Sequence, residues 1–508
     1  MFGRIVLLFF ALALIFAARF DYKAVFGSDD AVYFTDADCY SRMTRVKAVM
    51  EHPGTVLRQH DFENWPVGTT PHTTAPLDYL IAGGASILQP FFGESARDLA
   101  GAFTPLMLAL ATGVALWWFS RSRRFSTQAA VLTLFGISPI LVHGTILGRP
   151  DHQALLIFVV TLALATSGWN GIFYPVTSGI AWGLALWTSL FEPVVLWLVM
   201  TLSTVFLGRF TKERAVSVGV TAGIFLLSLV IEHWRVGVLP DAGLFRRWSL
   251  SIGELARSGW FSGIFLRWTG LVCLAVPIVL GWRLLRSKDF ACVPWLTLAL
   301  VTWGLSAWMV RWGYFFALTI VFALPFVLEP WRSRWPAFLF FAVSLWPIAS
   351  EWDARLFPSN EESERVAEQR EDYRELRKVA AKIREAGDAQ NSGVIAPWWL
   401  SPPLAYWSGA PCVAGSSHQS LPGIVDTAEF YLARFPDRAR DIAQKRRVRW
   451  IVAYEPSRVL STSAILLNRQ ATQDALDTVL YQNPAEAPPW LQLRFESTFF
   501  KLYEFSAQ

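Results

Sequence analysis

Charged residues are scarce in this sequence. Only 17% of the 508 residues are Asp, Glu, Lys or Arg, whereas 53% are hydrophobic. A soluble domain of this length would not carry so many long apolar runs. The basic residues lie in short loops between those runs and not on one face, which excludes the basic surface that nucleic-acid binding requires. The composition therefore predicts an integral membrane protein with no nucleic-acid partner.

Cysteine is scarce as well. The four cysteines are Cys39, Cys273, Cys292 and Cys412, and no pair has CxxC spacing. Cys273 and Cys292 fall in apolar runs, where a buried thiol is usually an inert packing residue. Cys39 and Cys412 fall in regions that we predict to lie outside the membrane. The sequence leaves a disulfide between these two open.

Aromatic residues, by contrast, are abundant. The chain contains 25 Trp and 38 Phe residues, as expected for interfacial belts and packed helix bundles. The apolar runs predict a polytopic α-helical membrane protein with about eleven transmembrane helices. The predicted spans are 4–20, 99–119, 127–146, 152–168, 173–189, 190–207, 214–232, 262–281, 291–309, 312–329 and 334–350. We interpret the first as a retained signal anchor, because no clear small-x-small cleavage site follows it.

Short basic loops predict the orientation of these spans. The positive-inside rule places four of them in the cytoplasm, namely residues 120–124, 208–214, 283–288 and 331–334. The pattern holds only if the apolar segment 77–93 lies in the outer interface without crossing. The N-terminus is then cytoplasmic. The segments that share the external face are 21–98, 147–151, 233–260 and 351–508.

We predict two domains. Residues 1–350 form a transmembrane domain with external loops at 21–98 and 233–260, and residues 351–508 form an extracytoplasmic mixed α/β domain. In this tail, apolar residues at helical spacing predict an amphipathic helix over 360–386. A second helical region is predicted over 425–446, and β-like runs occur at 393–397, 449–454 and 497–505.

Four polar features fall on the predicted external face. They are Asp36 and Asp38 after the first span, Asp151, His152 and Gln153 between two spans, Glu254 in the long loop, and Arg311 between two apolar runs. Each alone has an ordinary structural interpretation: a solvated turn, a helix N-cap, a loop carboxylate or a snorkelling arginine. Together they supply carboxylates, a histidine and an arginine on one face. A divalent metal with an arginine would neutralise the charge that develops on a diphosphate leaving group.

The order of these motifs resembles that in the catalytic subunit of oligosaccharyltransferases, the STT3-like family with the GT-C membrane fold. Asp38-Cys39-Tyr40 is similar to the family's first acidic motif, and the stretch from Gly148 to Gln153 is similar to the second. The loop sequence that ends at Glu254 resembles the family's external-loop motif, and Arg311 matches its membrane arginine. In the tail, Trp398-Trp399 stands where the family has Trp-Trp-Asp.

The resemblance implies an oligosaccharyltransferase-like glycosyltransferase. It would move a glycan from a polyprenyl phosphate or diphosphate carrier to an acceptor, foremost a protein. Asp38, Asp151 and Glu254 would be catalytic. The metal, Mn²⁺ or Mg²⁺, would be held by Asp38, Asp151, Gln153 and His152. Arg311 would bind the diphosphate, and the acceptor would contact Trp398, Trp399 and Glu254.

Three departures from the family pattern bear on this expectation. Leu400 replaces the Asp of Trp-Trp-Asp, and leucine cannot accept the hydrogen bond by which the family's motif binds the sequon hydroxyl. Gln153 stands where relatives have an acidic residue or a histidine, so its carbonyl oxygen would be a weaker ligand. The family usually has more than the roughly eleven spans predicted here. A non-catalytic protein that binds or transports lipid-linked glycans on the same scaffold is the alternative, which metal binding by the purified protein would distinguish.

Overall fold

The computed structural model describes residues 2–27, 29, 31–167, 173–208, 210–233, 241–331, 333–472 and 474–506. Residues 234–240 of the predicted loop 233–260, and Arg209 and Arg332 of the predicted cytoplasmic loops, lie outside these ranges. The chain divides into two compact units. The first comprises Met1–Val32, Thr73–Trp234 and Gly253–Ser359, and the second comprises Tyr33–His72, Arg235–Ile252 and Asn360–Gln508.

Helices account for most of the first unit and occur beside strands in the second. In chain order they are α1 (Phe2–Arg19), α2 (Tyr22–Val25), α3 (Ala37–Glu51), α4 (Ala75–Phe92), α5 (Ala96–Phe119), α6 (Phe125–Ile137), α7 (Pro139–His143), α8 (His152–Thr166), α9 (Phe173–Thr188), α10 (Phe191–Phe206), α11 (Lys212–Ile231), α12 (Ala242–Ser249), α13 (Ile264–Thr269), α14 (Val272–Ser287), α15 (Val293–Trp308), α16 (Gly313–Leu328), α17 (Arg334–Ser344), α18 (Trp346–Leu356), α19 (Asn360–Glu385), α20 (Ser401–Ser408), α21 (Leu421–Tyr431), α22 (Pro436–Lys445), α23 (Pro456–Leu467) and α24 (Leu476–Gln482). Helices α3, α12 and α19 to α24 belong to the second unit.

The first unit is a bundle of apolar helices, as the composition predicts. Helix α16 lies at its centre, where every residue but Phe326 is buried. Helix α11 is at the periphery and exposes large apolar side chains, including Leu226, Leu227 and Val230. An apolar surface on a helix whose backbone hydrogen bonds are internal suits contact with lipid.

Five helical stretches in the described part of the chain are long and apolar enough to cross a membrane. They are Phe2–Val25, Ala75–Ser122, Lys212–Ile231, Phe290–Trp308 and Val310–Leu328. Shorter apolar helices such as α6, α8 and α10 lie among them. The protein is therefore a polytopic α-helical membrane protein, whereas the number of crossings stays a prediction.

Two predicted spans are each divided into two helices. Span 262–281 breaks at Gly270, and span 334–350 breaks at Leu345. The two breaks pack on each other: the backbone N–H of Leu271 donates to the carbonyl oxygen of Ser344 at 2.9 Å. Gly270 has φ +68°, and a Cβ there would lie 2.2 Å from that oxygen, so only glycine fits. The expectation of one continuous helix over each segment was wrong, because this tertiary contact interrupts both.

A third predicted span, 127–146, is divided at Ser138-Pro139 into α6 and α7. Proline lacks a backbone N–H and favours the first turn of a new helix. The Ser138 hydroxyl donates to the carbonyl oxygen of Trp268 at 2.7 Å, which fixes the break against α13. The second half, α7, carries the chain to the candidate site.

The segment 77–93 is helical, as the sequence predicts, and forms α4. Its N-terminus is held by a buried carboxylate, because Glu232 accepts hydrogen bonds from the Ala75 backbone N–H and from Trp187 Nε1, both at 2.9 Å. A negative charge at a helix N-terminus is stabilising. Gly93, with φ +56°, separates α4 from α5, and the two helices pack against each other. Whether α4 crosses the membrane stays a prediction.

The second unit contains a four-stranded mixed sheet. Its strands are β1 (Gly393–Ile395), β2 (Val448–Ala453), β3 (Leu491–Glu496) and β4 (Lys501–Phe505), in the order β1-β2-β4-β3. β1 and β2 are parallel, and the β2–β4 and β4–β3 pairs are antiparallel. The predicted tail helix 360–386 is confirmed as α19, and the three β-like runs correspond to β1, β2 and β4. The remaining strand, β3, was not predicted.

Two further features shape the second unit. Cys39 and Cys412 are both buried thiols, and the disulfide that the sequence left open is not formed. A buried polar network joins the loop after α3 to the start of α21. His60 Nδ1 lies 2.6 Å from Glu63 Oε1, and the Ser420 hydroxyl donates to Glu63 Oε2 at 2.8 Å. Arg45 Nη1 contacts the other ring nitrogen of His60 at 2.7 Å, which completes the network.

Candidate active site

The candidate site of the first unit is built on the tight loop between α7 and α8. Gly148 has φ +78°, and a Cβ there would lie 2.5 Å from Val25 Cγ2, so the position requires glycine. The backbone N–H groups of Leu147 and Gly148 donate to the carbonyl oxygens of Arg19 and Ala102 at 3.0 and 2.9 Å. These contacts fix the backbone that carries the next charged residues.

Asp151 ends this loop and is the N-cap of α8. Its Oδ1 accepts from the backbone N–H of His152 at 2.7 Å and lies 2.5 Å from His152 Nδ1. The carboxylate is 8% exposed. Burial on its own would raise the pKa of Asp151, but His152 and the Arg149 guanidinium together hold this pKa well below its usual range. The side chain thus caps the helix, and its surroundings favour the ionised form.

Arg149 connects two carboxylates. Its Nη2 pairs with Oε1 of Glu254 and lies 3.9 Å from Oδ2 of Asp151. Its Nη1 donates to the carbonyl oxygen of His143 at 3.1 Å and to the Tyr314 hydroxyl at 3.2 Å. The Tyr314 hydroxyl in turn donates to Glu254 Oε1 at 3.0 Å.

Glu254 lies in the short 3-10 turn Gly253–Leu255, as part of the predicted external loop. Burial alone would raise the pKa of its carboxyl. The nearby charges, above all that of Arg149, outweigh this effect and hold the pKa below its usual range. The predicted site residues Asp151 and Glu254 are therefore brought together, with Arg149 between them. Arg149 lies within the predicted second motif, Gly148 to Gln153, but the prediction assigned it no role.

Arg311 lies in the turn Val310–Trp312, directly before α16. Its Nε pairs with Oε1 of Glu192, and its Nη2 lies 2.8 Å from His152 Nε2. Arg311 therefore joins the same cluster as Asp151, through His152. The sequence offered no local partner for Arg311, and the prediction missed Glu192. One feature of the sequence could have identified Glu192. It is a carboxylate at the start of an apolar run, where an ionised group is costly unless it is paired.

Some atoms of this cluster are of the type that binds a hard divalent cation. Asp151 and Glu254 are ionised, and Gln153 Oε1 is buried without a hydrogen-bond partner beside His152. Carboxylate and amide oxygens are the ligands that Mg²⁺ and Mn²⁺ prefer. Within the described residues, however, no three His, Cys, Asp or Glu side chains converge as ligands for one ion. The oxygen chemistry fits a metal, and Arg149 provides a positive charge between the two carboxylates.

The other predicted site residues lie in the second unit. Asp36 is the N-cap of α3, where its Oδ1 accepts from the backbone N–H of Cys39 at 3.0 Å. Asp38 lies in the first turn of the same helix and is exposed. Asp36 therefore caps the helix, whereas Asp38 is exposed at its first turn. The role of Asp38 as a ligand stays a prediction.

Trp398 and Trp399 line a small cleft in the second unit, together with residues of α21 and α23. The two indoles contact each other edge to face, and the Arg458 guanidinium lies 4.7 Å from the Trp399 ring centre. Both indole Nε1 atoms are buried without a hydrogen-bond partner. Leu400 is 5% exposed and packs in the hydrophobic core of this unit. A carboxylate at position 400 would thus be placed in an apolar core.

Similarity to known proteins at the level of sequence is limited. No family model matches the chain. One curated relative is the dolichyl-phosphooligosaccharide-protein glycotransferase 1 of Archaeoglobus fulgidus, which is 26% identical over 139 residues. This alignment covers 27% of the chain and only 22% of the length of that relative.

Solved structures match over far more of the chain. The A. fulgidus oligosaccharyltransferase tethered to an acceptor peptide with an NVT sequon matches with a TM-score of 0.73 and 14% identity, over 98% of this chain and 80% of that one. Another structure of that enzyme, in complex with Zn and sulfate, matches with a TM-score of 0.64 and 17% identity, over 88% and 68% of the two chains.

ArnT from Cupriavidus metallidurans bound to undecaprenyl phosphate matches with a TM-score of 0.53 and 12% identity. That match covers 99% of this chain and 98% of ArnT. Identities this low establish the fold. The chain has the GT-C membrane fold of the STT3-like oligosaccharyltransferases.

Proposed function

We propose that this protein is an oligosaccharyltransferase-like glycosyltransferase that moves a glycan from a polyprenyl phosphate or diphosphate carrier to an acceptor, foremost a protein. The observation that carries the proposal is the cluster of ionised carboxylates and guanidinium groups around Asp151, Glu254 and Arg311 on a GT-C fold. Buried charges at such density are costly in a membrane protein and mark functional sites. The similar structures include one of an enzyme with an acceptor peptide and one of a protein with undecaprenyl phosphate.

The charge of the cluster favours a divalent cation. It contains three carboxylates, Asp151, Glu192 and Glu254, but only two guanidinium groups, Arg149 and Arg311. These five groups alone carry one more negative than positive charge, which does not favour a phosphate or diphosphate. A bound divalent cation reverses the sign of the site and makes it attractive to the anionic donor.

We propose Mn²⁺ or Mg²⁺ as this cation, held by Asp151, Gln153 and Glu254, with His152 adjacent. The resemblance also implies Asp38 as a ligand. When bound, the metal would act as a Lewis acid that stabilises negative charge on the leaving group. In support, a similar enzyme has been solved with Zn and sulfate.

Arg311 is the proposed contact for the phosphate of the donor. As the bond between the anomeric carbon and the phosphate oxygen breaks, negative charge develops on the leaving group, and a guanidinium donates charge-assisted hydrogen bonds to it. Glu192 accepts from Nε, which leaves the rest of the fork oriented by the His152 ring. The attacking acceptor atom approaches from the opposite side of the carbon, so the resemblance predicts inversion.

The acceptor half of the site differs from the family pattern. Trp398 and Trp399 are retained, and their unsatisfied indole N–H groups are hydrogen-bond donors for an acceptor. Leu400 provides no hydrogen-bond acceptor and packs into the core. We therefore propose that the protein does not require the Ser/Thr hydroxyl of a standard Asn-x-Ser/Thr sequon. Mass spectrometry of glycopeptides from deletion and complemented strains tests this, and a sharp sequon pattern lost on deletion would refute it.

The proposed orientation follows from the basic loops. The N-terminus is cytoplasmic, and the C-terminal domain is extracytoplasmic, in a cell inner or plasma membrane. Reporter fusions at the end of α19 and in the loop that contains Arg123 would place these positions on opposite sides of the membrane. A cytoplasmic signal from the α19 fusion would contradict the orientation.

The central test is transfer by purified protein from a lipid-linked glycan, with Mn²⁺ or Mg²⁺ or with a chelator. Asp38→Ala, Asp151→Ala and Glu254→Ala should each reduce the rate strongly. Arg123→Gln is the matched control, because Arg123 forms a partly exposed pair with Glu329 away from the cluster. Full activity of all three alanine variants would refute the catalytic proposal. No transfer by wild type, with donor lipid still bound, would favour the non-catalytic alternative.

A further inference from the structure

The guanidinium of Arg149 occupies the place between two carboxylates where an ion would be held. A single nitrogen, Nη2, contacts Oε1 of Glu254 and lies 3.9 Å from Oδ2 of Asp151. A divalent cation placed between these two oxygens would lie about 2.0–2.6 Å from each. The ion and Nη2 cannot both occupy that position.

Arg149 is held in this position from its other side. Nη1 donates to the His143 carbonyl oxygen and to the Tyr314 hydroxyl, and the side chain is only 6% exposed. The backbone is fixed by the glycine at position 148 and by the cap at Asp151. The position of the Arg149 guanidinium is therefore set by the loop and by α16, as well as by its attraction to the two carboxylates.

We propose that Arg149 is a tethered competitor of the divalent cation, a positioning residue that keeps Asp151 and Glu254 facing each other and yields to the ion when it binds. This rests on the proposed function, because it concerns the metal proposed for the same site. The arginine prevents repulsion between the two carboxylates when no ion is bound. It also weakens metal binding, because the ion must displace the guanidinium from the two carboxylates and is then repelled by this nearby positive charge.

Metal affinity measures this competition directly. The experiment titrates Mn²⁺ into the purified full-length protein in detergent and follows the free ion by electron paramagnetic resonance. Arg149→Gln removes the charge and should bind Mn²⁺ roughly tenfold more tightly, since one charge within a few ångströms shifts a carboxylate equilibrium by about that factor or more. Arg149→Lys keeps the charge and should bind close to wild type. Arg123→Gln is the control for a lost surface arginine.

A second variant separates competition from a folding defect. Arg149→Gly removes the side chain and leaves space for a small cation. Added methylguanidinium should then weaken Mn²⁺ binding to Arg149→Gly in proportion to its concentration, with no such effect on the wild-type protein. A merely structural arginine would not produce this competition.

If the protein binds Mn²⁺, two results would overturn the inference. One is equal or weaker Mn²⁺ binding by Arg149→Gln than by the wild-type protein. The other is Mn²⁺ binding to Arg149→Gly that methylguanidinium leaves unchanged. If neither the wild-type protein nor Arg149→Gln binds Mn²⁺, the inference also fails, whereas glycan transfer by the same preparation would still support the proposed function.

Discussion

Gly148→Ala tests whether the loop that carries Arg149 and Asp151 is as tightly constrained as the structure indicates. The added Cβ would lie 2.5, 3.2 and 3.4 Å from Val25 Cγ2, Cγ1 and Cβ, where an unstrained contact needs about 3.5–4.0 Å. The positive φ of +78° adds a conformational cost of roughly 1–2 kcal/mol for any L side chain. Overpacking against a buried valine adds about 1–3 kcal/mol. We expect Gly148→Ala to lower the free energy of unfolding by about 2–5 kcal/mol.

Gly93→Ala isolates the conformational part of this cost. Gly93 also has a positive φ, +56°, but a Cβ there meets nothing within 4 Å. Because Gly93 has a ψ of −131°, outside the left-handed helical region, the control variant should lose about 1–3 kcal/mol. The assay is equilibrium unfolding of the purified protein in mixed micelles, and Mn²⁺ affinity is measured on the same samples. Gly148→Ala should weaken metal binding, whereas Gly93→Ala should not.

Val25→Ala completes a double-mutant cycle. Combined with Gly148→Ala, it removes the two methyl groups that cause the clash, so the double variant should be less destabilised than the sum of the single variants by about 1–3 kcal/mol. Equal losses in Gly148→Ala and Gly93→Ala, or strict additivity in the cycle, would show that Val25 does not constrain the loop.

Three further predictions concern single residues. Glu192→Ala should lower the free energy of unfolding by about 3 kcal/mol. This is the low end for a broken buried ion pair, because the side chain of the partner Arg311 is 20% exposed. Glu192→Gln should lose less stability, and equal losses in the two variants would argue against a charge effect. Burial raises the pKa of Glu63, but His60 lowers it to about 2, so this carboxylate stabilises the second unit above about pH 4.5 by roughly 3 kcal/mol. That stability should disappear as pH falls toward 2, and acid unfolding of Glu63→Gln should show no such component. Leu400→Asp should destabilise the second unit without creating a preference for Ser/Thr sequons, and a sharp sequon pattern in its glycopeptides would refute the burial argument.

The local sequence pattern was sufficient to predict much of the secondary structure of the second unit. The helical spacing over 360–386 and the short apolar runs predicted α19, β1, β2 and β4, because α19 packs one face into the core and β1 and β2 are buried almost throughout. Strand β3 was missed because most of its residues are exposed and it pairs at the edge of the sheet. An exposed edge strand lacks the apolar signal on which the prediction depends.

The divided spans could not be predicted from hydropathy. Gly270 and Ser344 are far apart in sequence, and each lies inside an apolar run of sufficient length to cross a membrane. Their close backbone contact is a property of the packed bundle. Hydropathy reports transfer from water to lipid, and it does not report where two helices interrupt each other.

The candidate site was predicted in part. The motif that contains Asp151, the loop residue Glu254 and the isolated Arg311 were all identified, and in the structure they form one cluster in the first unit. The pairing of Arg311 with Glu192 joins residues that are 119 positions apart, so no local pattern could reveal it. The position of Arg149 between the two carboxylates depends on the conformation of the loop at Gly148. Sequence thus supplied the chemical groups, and tertiary structure decided which of them meet.

The most direct test of the account is the initial rate of glycan transfer from a purified polyprenyl-linked donor by wild type and Asp151→Asn at saturating Mn²⁺. The asparagine keeps the size of the side chain and an acceptor oxygen for the helix cap, but it removes the charge that the metal and the cluster require. The account predicts transfer by wild type and a rate lower by about 100-fold or more in Asp151→Asn. Transfer by Asp151→Asn at the wild-type rate would contradict it.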